Sequence, residues 1–231
     1  MECNEEFKKN KKVWSDFYSQ DTKNCKFYDE NIVRLFSSKE PDIPAPPAKI
    51  LDHGFGSGNN IKFLLEKGYQ VFGAEISKSA VEKLDKEFNE NRKTVDLKEI
   101  NGYEMPYEDN FFDIVLSWNA LHYNATIENA QMVNQELYRV LKPGGVYILS
   151  TITTEHTLCI GAEELKKGHF AVKSNHRFDN RGGLKLFVPV SKEHFLEVYG
   201  WKFKNIRYGW INVNLFIPDK VLACHLMYGV K

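Results

Sequence analysis

The stretch Ile50-Leu51-Asp52-His53-Gly54-Phe55-Gly56-Ser57-Gly58-Asn59-Asn60 decides how this chain is read. An apolar run ends in an acid, glycines follow at alternate positions, and a helical pattern starts directly afterwards. Glycine has no Cβ, so the backbone there turns tightly and lies flat against a ligand. The helix that follows points its free N–H groups into the turn. A strand, turn and helix of this composition suit a nucleoside-like cofactor. The spacing narrows the choice. A dinucleotide fingerprint reads G-x-G-x-x-G, whereas Gly54, Gly56 and Gly58 read G-x-G-x-G and Asn59 stands where the other pattern has its third glycine. Asp52 precedes the glycines by two positions, where an acid repels a pyrophosphate and suits a cationic amine.

Outward from this turn the pattern repeats. Gln70-Val71-Phe72-Gly73-Ala74-Glu75-Ile76-Ser77 reads as a second strand ending in an acid, with Glu75 placed to accept the hydroxyls of a ribose. Phe111-Phe112-Asp113-Ile114-Val115-Leu116-Ser117 reads as a further strand. In Arg139-Val140-Leu141-Lys142-Pro143-Gly144-Gly145, Pro143 cannot extend a helix and the two glycines end one. Taken in order from about 48 to 151, the acid-glycine turn, the strand ending in Glu75, the Phe-Asp strand and the Lys-Pro-Gly-Gly turn resemble the class I S-adenosylmethionine-dependent methyltransferases.

The resemblance implies a Rossmann-like, doubly wound α/β fold: seven strands, mostly parallel, with an antiparallel last strand and helices on both faces. It implies S-adenosylmethionine as cofactor, S-adenosylhomocysteine as product, and no metal. Gly54, Gly56 and Gly58 would lie against the amino-acid end of the cofactor, and Asp52 would meet its ammonium. Glu75 would hold the ribose and Ile76 would pack on the adenine. The adenine amino group usually meets an Asp at the end of strand three. Asn101 stands there, with Gly102 beside it, and its carbonyl oxygen still accepts a hydrogen bond. Ser117 joins this cofactor-binding set at the end of strand four. Tyr18, in Trp14-Ser15-Asp16-Phe17-Tyr18, resembles the segment that closes over the cofactor in small-molecule members. Either it bonds the cofactor carboxylate or these aromatics only pin the helix to the core. His122, in Ser117-Trp118-Asn119-Ala120-Leu121-His122-Tyr123, is the candidate catalytic residue. It either deprotonates the acceptor, as its ordinary pKa permits, or shapes the pocket.

The alternation of elements supports one domain over residues 1–231. A helical cap spans 5–37, and Pro41-Asp42-Ile43-Pro44-Ala45-Pro46-Pro47 connects it to a cofactor-binding core at 48–151. The core is expected to run strand 48–53, helix 58–67, strand 70–75, helix 78–90, strand 95–100, strand 112–118, helix 126–141 and strand 145–151. Residues 152–231 form a substrate-side insert and the final strands. The insert, 152–190, breaks the rhythm. Ser191 starts a short helix ending at Gly200, and apolar stretches near 201–211 and 221–229 complete the sheet.

Composition excludes several classes. The 231 residues hold 31 Lys plus Arg against 31 Asp plus Glu, so no global field steers the chain to nucleic acid or an anionic membrane. Lys8-Lys9-Asn10-Lys11-Lys12 reads as a solvated helix face. Cys3, Cys25, Cys159 and Cys224 show no metal spacing and no disulfide framework. His156, His169, His176 and His194 also lack metal spacing. No apolar run has the length of a membrane span and no leader is recognised, so a cytoplasmic protein is expected. Arg177, Arg181 and Lys185 in the insert are either solvated or available to an anionic acceptor.

The expected activity is methyl transfer to an oxygen, nitrogen or carbon of a small molecule by in-line displacement. Alignment alone supplies about 7–11 kcal/mol in the best systems. A protein or tRNA methyltransferase and a non-catalytic cofactor-binding relative stay open as alternatives. An NAD-dependent oxidoreductase is disfavoured by the glycine spacing. Oligomeric state is not legible.

Overall fold

The computed structural model describes residues 5–20, 27–39, 41–91, 95–174, 181–214, 216 and 220–231. Its centre is a seven-stranded sheet of order β3-β2-β1-β4-β5-β10-β9. The members are β1 (Lys49–His53), β2 (Gln70–Glu75), β3 (Asp96–Glu99), β4 (Phe112–Trp118), β5 (Leu141–Ile152), β9 (Lys204–Asn214) and β10 (Val221–Val230). Strands β1 to β5 pair in parallel, and β10 runs antiparallel to both neighbours. The expected Rossmann-like α/β sheet with an antiparallel last strand is therefore present.

The central strands β1, β4 and β5 are buried along most of their length, which is why they read as apolar runs, while the edge strands β3 and β9 are largely open to solvent. Side chains alternate across the sheet with period two. Ile50, Ile114, Leu116, Val146 and Ile148 pack on one face with Ile32, Ile61, Leu64, Leu84 and Phe88. These last residues belong to α2 (Glu30–Ser37), α3 (Asn59–Glu66) and α4 (Lys78–Glu90). Leu51, Val115, Tyr147 and Leu149 face the other way, with Val133, Leu137, Phe195 and Tyr199 of α5 (Ile127–Val140) and α6 (Lys192–Tyr199). Local caps set where helices begin. Ser77, Thr126 and Ser191 accept from Ala80, Asn129 and His194 N–H groups, satisfying donors that a helix start leaves open.

Three expectations are corrected. The cap is not one helix over 5–37: α1 (Glu5–Ser19) and α2 are separate, because the Asp29 carboxylate accepts the Asn31 N–H and starts a new helix. Helix α5 stops at Val140, and Gly144 and Gly145 do not end it. Leu141 is already extended and paired with Phe112, and Lys142-Pro143-Gly144-Gly145 bulges out of β5 before Val146 pairs with Ile114. The insert is not irregular. It forms a three-stranded antiparallel sheet of β6 (Glu163–Lys166), β7 (His169–Ala171) and β8 (Lys185–Phe187). Its inner side packs with Ile152, Leu158 and Cys224, and Val13 and Trp14 of α1 pack against the same cluster. This small sheet and α1 thus sit together over the carboxyl ends of the central strands.

No helix among the described residues is long and apolar enough to cross a membrane. Cys159 and Cys224 are buried free thiols, and Cys3 and Cys25 lie outside the described residues.

Candidate functional site

The order of the sheet reverses between β1 and β4, and ligands of open α/β sheets bind in the crevice at such a point. A cavity of about 450 Å³ lies there. Its floor is the β1–α3 turn, with Gly54, Phe55, Gly56 and Ser57, and its sides are Glu75 and Ile76 from the end of β2 and Ile100 and Gly102 after β3. Trp118, Asn119 and Ala120 leave β4 on the far side. Asn10, Trp14 and Tyr18 of α1 cover it, and Asp29 closes one end.

Glycine is required at the floor by geometry. Gly54 and Gly56 have φ of 71° and 54°, in the left-handed region. A Cβ at Gly54 would collide with Ala120, and one at Gly56 with the Tyr18 hydroxyl. The loop after β1, the loop after β4 and the cover are therefore in close contact. Asn119 itself has φ 55° and is held by Ser150, whose hydroxyl accepts from its N–H at 2.8 Å and donates to its Oδ1 at 2.9 Å. Asparagine tolerates this conformation better than other side chains.

Glu75 is 5 % exposed. Its Oε2 accepts the Gly56 N–H and its Oε1 the Ser77 N–H, both at 2.9 Å. Burial pushes its pKa up, while the N–H groups of Ser77, Gly56 and Ile76 oppose the shift. Among the described lining residues the cavity holds two carboxylates, Asp29 and Glu75, and no Lys or Arg. The Asp29 Oδ2 accepts from the Trp118 indole at 2.9 Å. Burial and the nearby Glu75 raise the pKa of the Tyr18 hydroxyl, which hydrogen-bonds to Ser57.

Of the residues singled out in the sequence, Tyr18, Gly54, Gly56, Glu75, Ile76 and Gly102 line this cavity, and Asp52, Gly58, Asn101, Ser117 and His122 do not. Asp52 alternates with His53 along β1, and the face that meets the cavity carries His53. The Asp52 side chain is buried, its Oδ2 has no hydrogen-bond partner among the described residues, and burial, then Glu75, pushes its pKa up to about 8. Gly58 is the left-handed N-cap of α3 and lies against Leu84. Asn101 is exposed, and its Oδ1 accepts from Lys11. Ser117 is fully buried and its hydroxyl is 2.9 Å from His53 Nδ1. Burial drives His53 down to about 4.

His122 lines a second cavity, of about 240 Å³, that shares Asn119 and Tyr123 with the first. It is 1 % exposed, and neither ring nitrogen has a hydrogen-bond partner among the described residues. Burial, followed by His156 and Arg181, holds its pKa well below the ordinary value. Arg181 lines the same cavity, while Lys185 is engaged by Glu6 at 2.9 Å. Arg177 and His176 fall outside the described residues. Among the described residues no group of three or more His, Cys, Asp or Glu is placed to hold a metal ion.

Asn10, Asp29 and Asn119 are site residues that sequence reasoning missed. Only Asp29 carried a signal, as an Asp before the apolar helical run of α2. Asn10 acts across the chain: its amide donates to the Tyr123 carbonyl at 2.6 Å and the Lys185 carbonyl at 2.8 Å, and accepts the Lys185 N–H at 3.0 Å.

Residues 51–149 match the family model described as a methyltransferase domain. The chain is 28 % identical over 187 residues to a malonyl-[acyl-carrier protein] O-methyltransferase of Salmonella typhimurium, covering 79 % of this chain and 64 % of that one. It is 26 % identical over 156 residues to an eEF1A lysine and N-terminal methyltransferase of Danio rerio, covering 63 % of this chain and 22 % of the relative. The chain thus spans less than two thirds of the length of these curated relatives. Among solved structures, a Pyrococcus horikoshii protein superposes with a TM-score of 0.69 at 17 % identity, covering 93 % of this chain and 98 % of its own. A SAM-dependent methyltransferase from Methanosarcina mazei superposes with a TM-score of 0.66 at 16 % identity, covering 89 % and 98 %. Strand order, acid-glycine turn and domain match agree: residues 51–149 carry a methyltransferase domain, and its arrangement is that of the class I S-adenosylmethionine-dependent methyltransferases.

Proposed function

We propose that this chain is an S-adenosylmethionine-dependent methyltransferase with a small-molecule acceptor, and that residues 1–231 act as one domain of cap, cofactor core and substrate side. The observation that carries the reading is the charge of the first cavity. Its described lining has Asp29 and Glu75 and no fixed positive charge, which suits a cofactor carrying sulfonium and ammonium groups. The volume falls in the usual range of small-molecule sites, about 300–1,000 Å³.

The chemistry the cofactor supplies when bound is a methyl group already activated on sulfur. The protein is left with binding, alignment and exclusion of water. Glu75 would hold the ribose hydroxyls, Ile76 and Gly102 would border the adenine, and Gly54 and Gly56 would let the backbone approach the amino-acid end. Trp14 and Tyr18 keep water out from above. His122, kept neutral, either accepts a proton from the attacking group or shapes the acceptor side.

The small-molecule reading rests on the cover. With α1 and the small sheet over the strand ends, the way in suits a compact acceptor. A protein acceptor is the second reading, since the Danio rerio relative is named for one. Incubation with methyl-labelled S-adenosylmethionine in a cell extract, followed by ultrafiltration, separates the two. Label in the filtrate is the expected result. Label retained on protein or RNA would overturn the small-molecule assignment.

A further inference from the structure

The two cavities that meet at Asn119 and Tyr123 have opposite charge. Among its described lining residues, the first has carboxylates and no Lys or Arg. The second has two cations, Arg181 and Lys220, with the imidazoles of His122 and His156 beside them and, among its described lining, no Asp or Glu. Its remaining lining includes Ile152, Leu158 and Leu222. Such a lining, apolar with convergent polar groups, is that of a small-molecule site, and the volume of about 240 Å³, below the usual range of about 300–1,000 Å³, limits its ligand to a compact one. His122 gives independent evidence that something polar belongs there. It is a buried imidazole whose two nitrogens have no hydrogen-bond partner among the described residues, and buried polar groups are normally satisfied.

We infer that the second cavity is the acceptor subsite and that it takes a compact molecule bearing an anionic carboxylate or phosphate, with Arg181 and Lys220 receiving the anion and His122 facing its polar substituent. The inference rests on the methyltransferase reading and narrows its substrate class. Arg181 is well placed for this role. Its guanidinium stacks 4.4 Å from the Trp14 ring centre and 5.1 Å from that of Phe17, so the cover itself fixes the cation at the cavity wall. Planar, bidentate recognition of a carboxylate or phosphate is what a guanidinium does best. Lys220 precedes β10 and lines the same cavity as Arg181. A cationic cofactor in an acid-lined cavity and an anionic acceptor in a basic one are also drawn toward each other at the junction, which Asn119 and Tyr123 border.

The test uses benzoate and phenyl phosphate as anionic probes and benzamide as their neutral counterpart. Each is titrated calorimetrically into protein saturated with S-adenosylhomocysteine. At least one anion is expected to bind ten times or more tightly than benzamide, with Lys220→Gln weakening it about tenfold and Lys220→Arg restoring it. Melting curves check that both variants are folded. Equal binding of benzamide, absence of anion binding, or indifference to Lys220→Gln would overturn the inference. If S-adenosylhomocysteine itself does not bind, the methyltransferase reading fails first. If it binds and the anions do not, only the acceptor class is wrong.

Discussion

Gly56 is the residue on which loop, cover and cofactor side converge. Its N–H donates to Glu75, its φ of 54° disfavours any side chain, and a Cβ would press on the Tyr18 hydroxyl. The left-handed conformation alone costs a non-glycine residue about 1–2 kcal/mol. Gly56→Ala is therefore expected to weaken S-adenosylhomocysteine binding by tenfold or more, read by calorimetry. Unchanged affinity would mean that the turn does not meet the ligand. Asp52 makes a second residue-level prediction. Its folded pKa of about 8 lies above the unfolded value of 3.8, so the folded state binds the extra proton between those limits. The stability this contributes is present at low pH and is lost as pH rises toward 8. Asp52→Asn should flatten that loss, with a melting temperature that gains more at pH 8 than at pH 5. The buried histidines act in the opposite sense. His53 is held near 4, so its contribution is complete above 6.5 and lost as pH falls from there toward 4. An equal gain for Asp52→Asn at both pH values would show that its carboxyl is not the titrating group.

At the scale of elements, α1 is the movable-looking part that is in fact tied down. The Asn10 amide pairs with both backbone groups of Lys185 in β8 and with the Tyr123 carbonyl, and it is 1 % exposed. Ser77 and Ser79, at the start of α4, donate to the Trp14 and Ser15 carbonyls near the end of α1. Removing a buried partner costs about 1–3 kcal/mol for each group left unsatisfied. Asn10→Ala should lower the melting temperature by several degrees, speed hydrogen exchange across Glu5–Ser19, and weaken S-adenosylhomocysteine. Exchange unchanged in that helix would remove the tie. These elements also show what was readable in advance. Strand β2 and helix α4 fall where expected, because glycines, an N-cap serine and clean periodicity all act locally. The small sheet was not readable. Glu163–Lys166 is exposed throughout and carries no alternation, so its pairing with His169–Ala171 is set by packing over Ile152 and Leu158. The split between α1 and α2 was missed although the Asp29 cap was there to be read.

The same division holds for the whole molecule. The glycine turn and Glu75 are legible because one short stretch and one strand end carry them. Asn10 and Lys185 lie 175 residues apart in the chain, and Asp29 meets Trp118 only once α2 has packed. No spacing rule reaches that far, so the cover and the second cavity emerge only from the fold. The net charge of zero likewise hides the separation of an acidic cavity from a basic one.

The most direct test of the cofactor assignment is calorimetric titration of S-adenosylhomocysteine into the wild-type protein and Glu75→Ala. Binding with a micromolar dissociation constant, weakened by about tenfold or more in the variant, is the predicted result. Binding that survives Glu75→Ala unchanged, or no binding to the wild type, would contradict the assignment of this cavity to an S-adenosyl ligand.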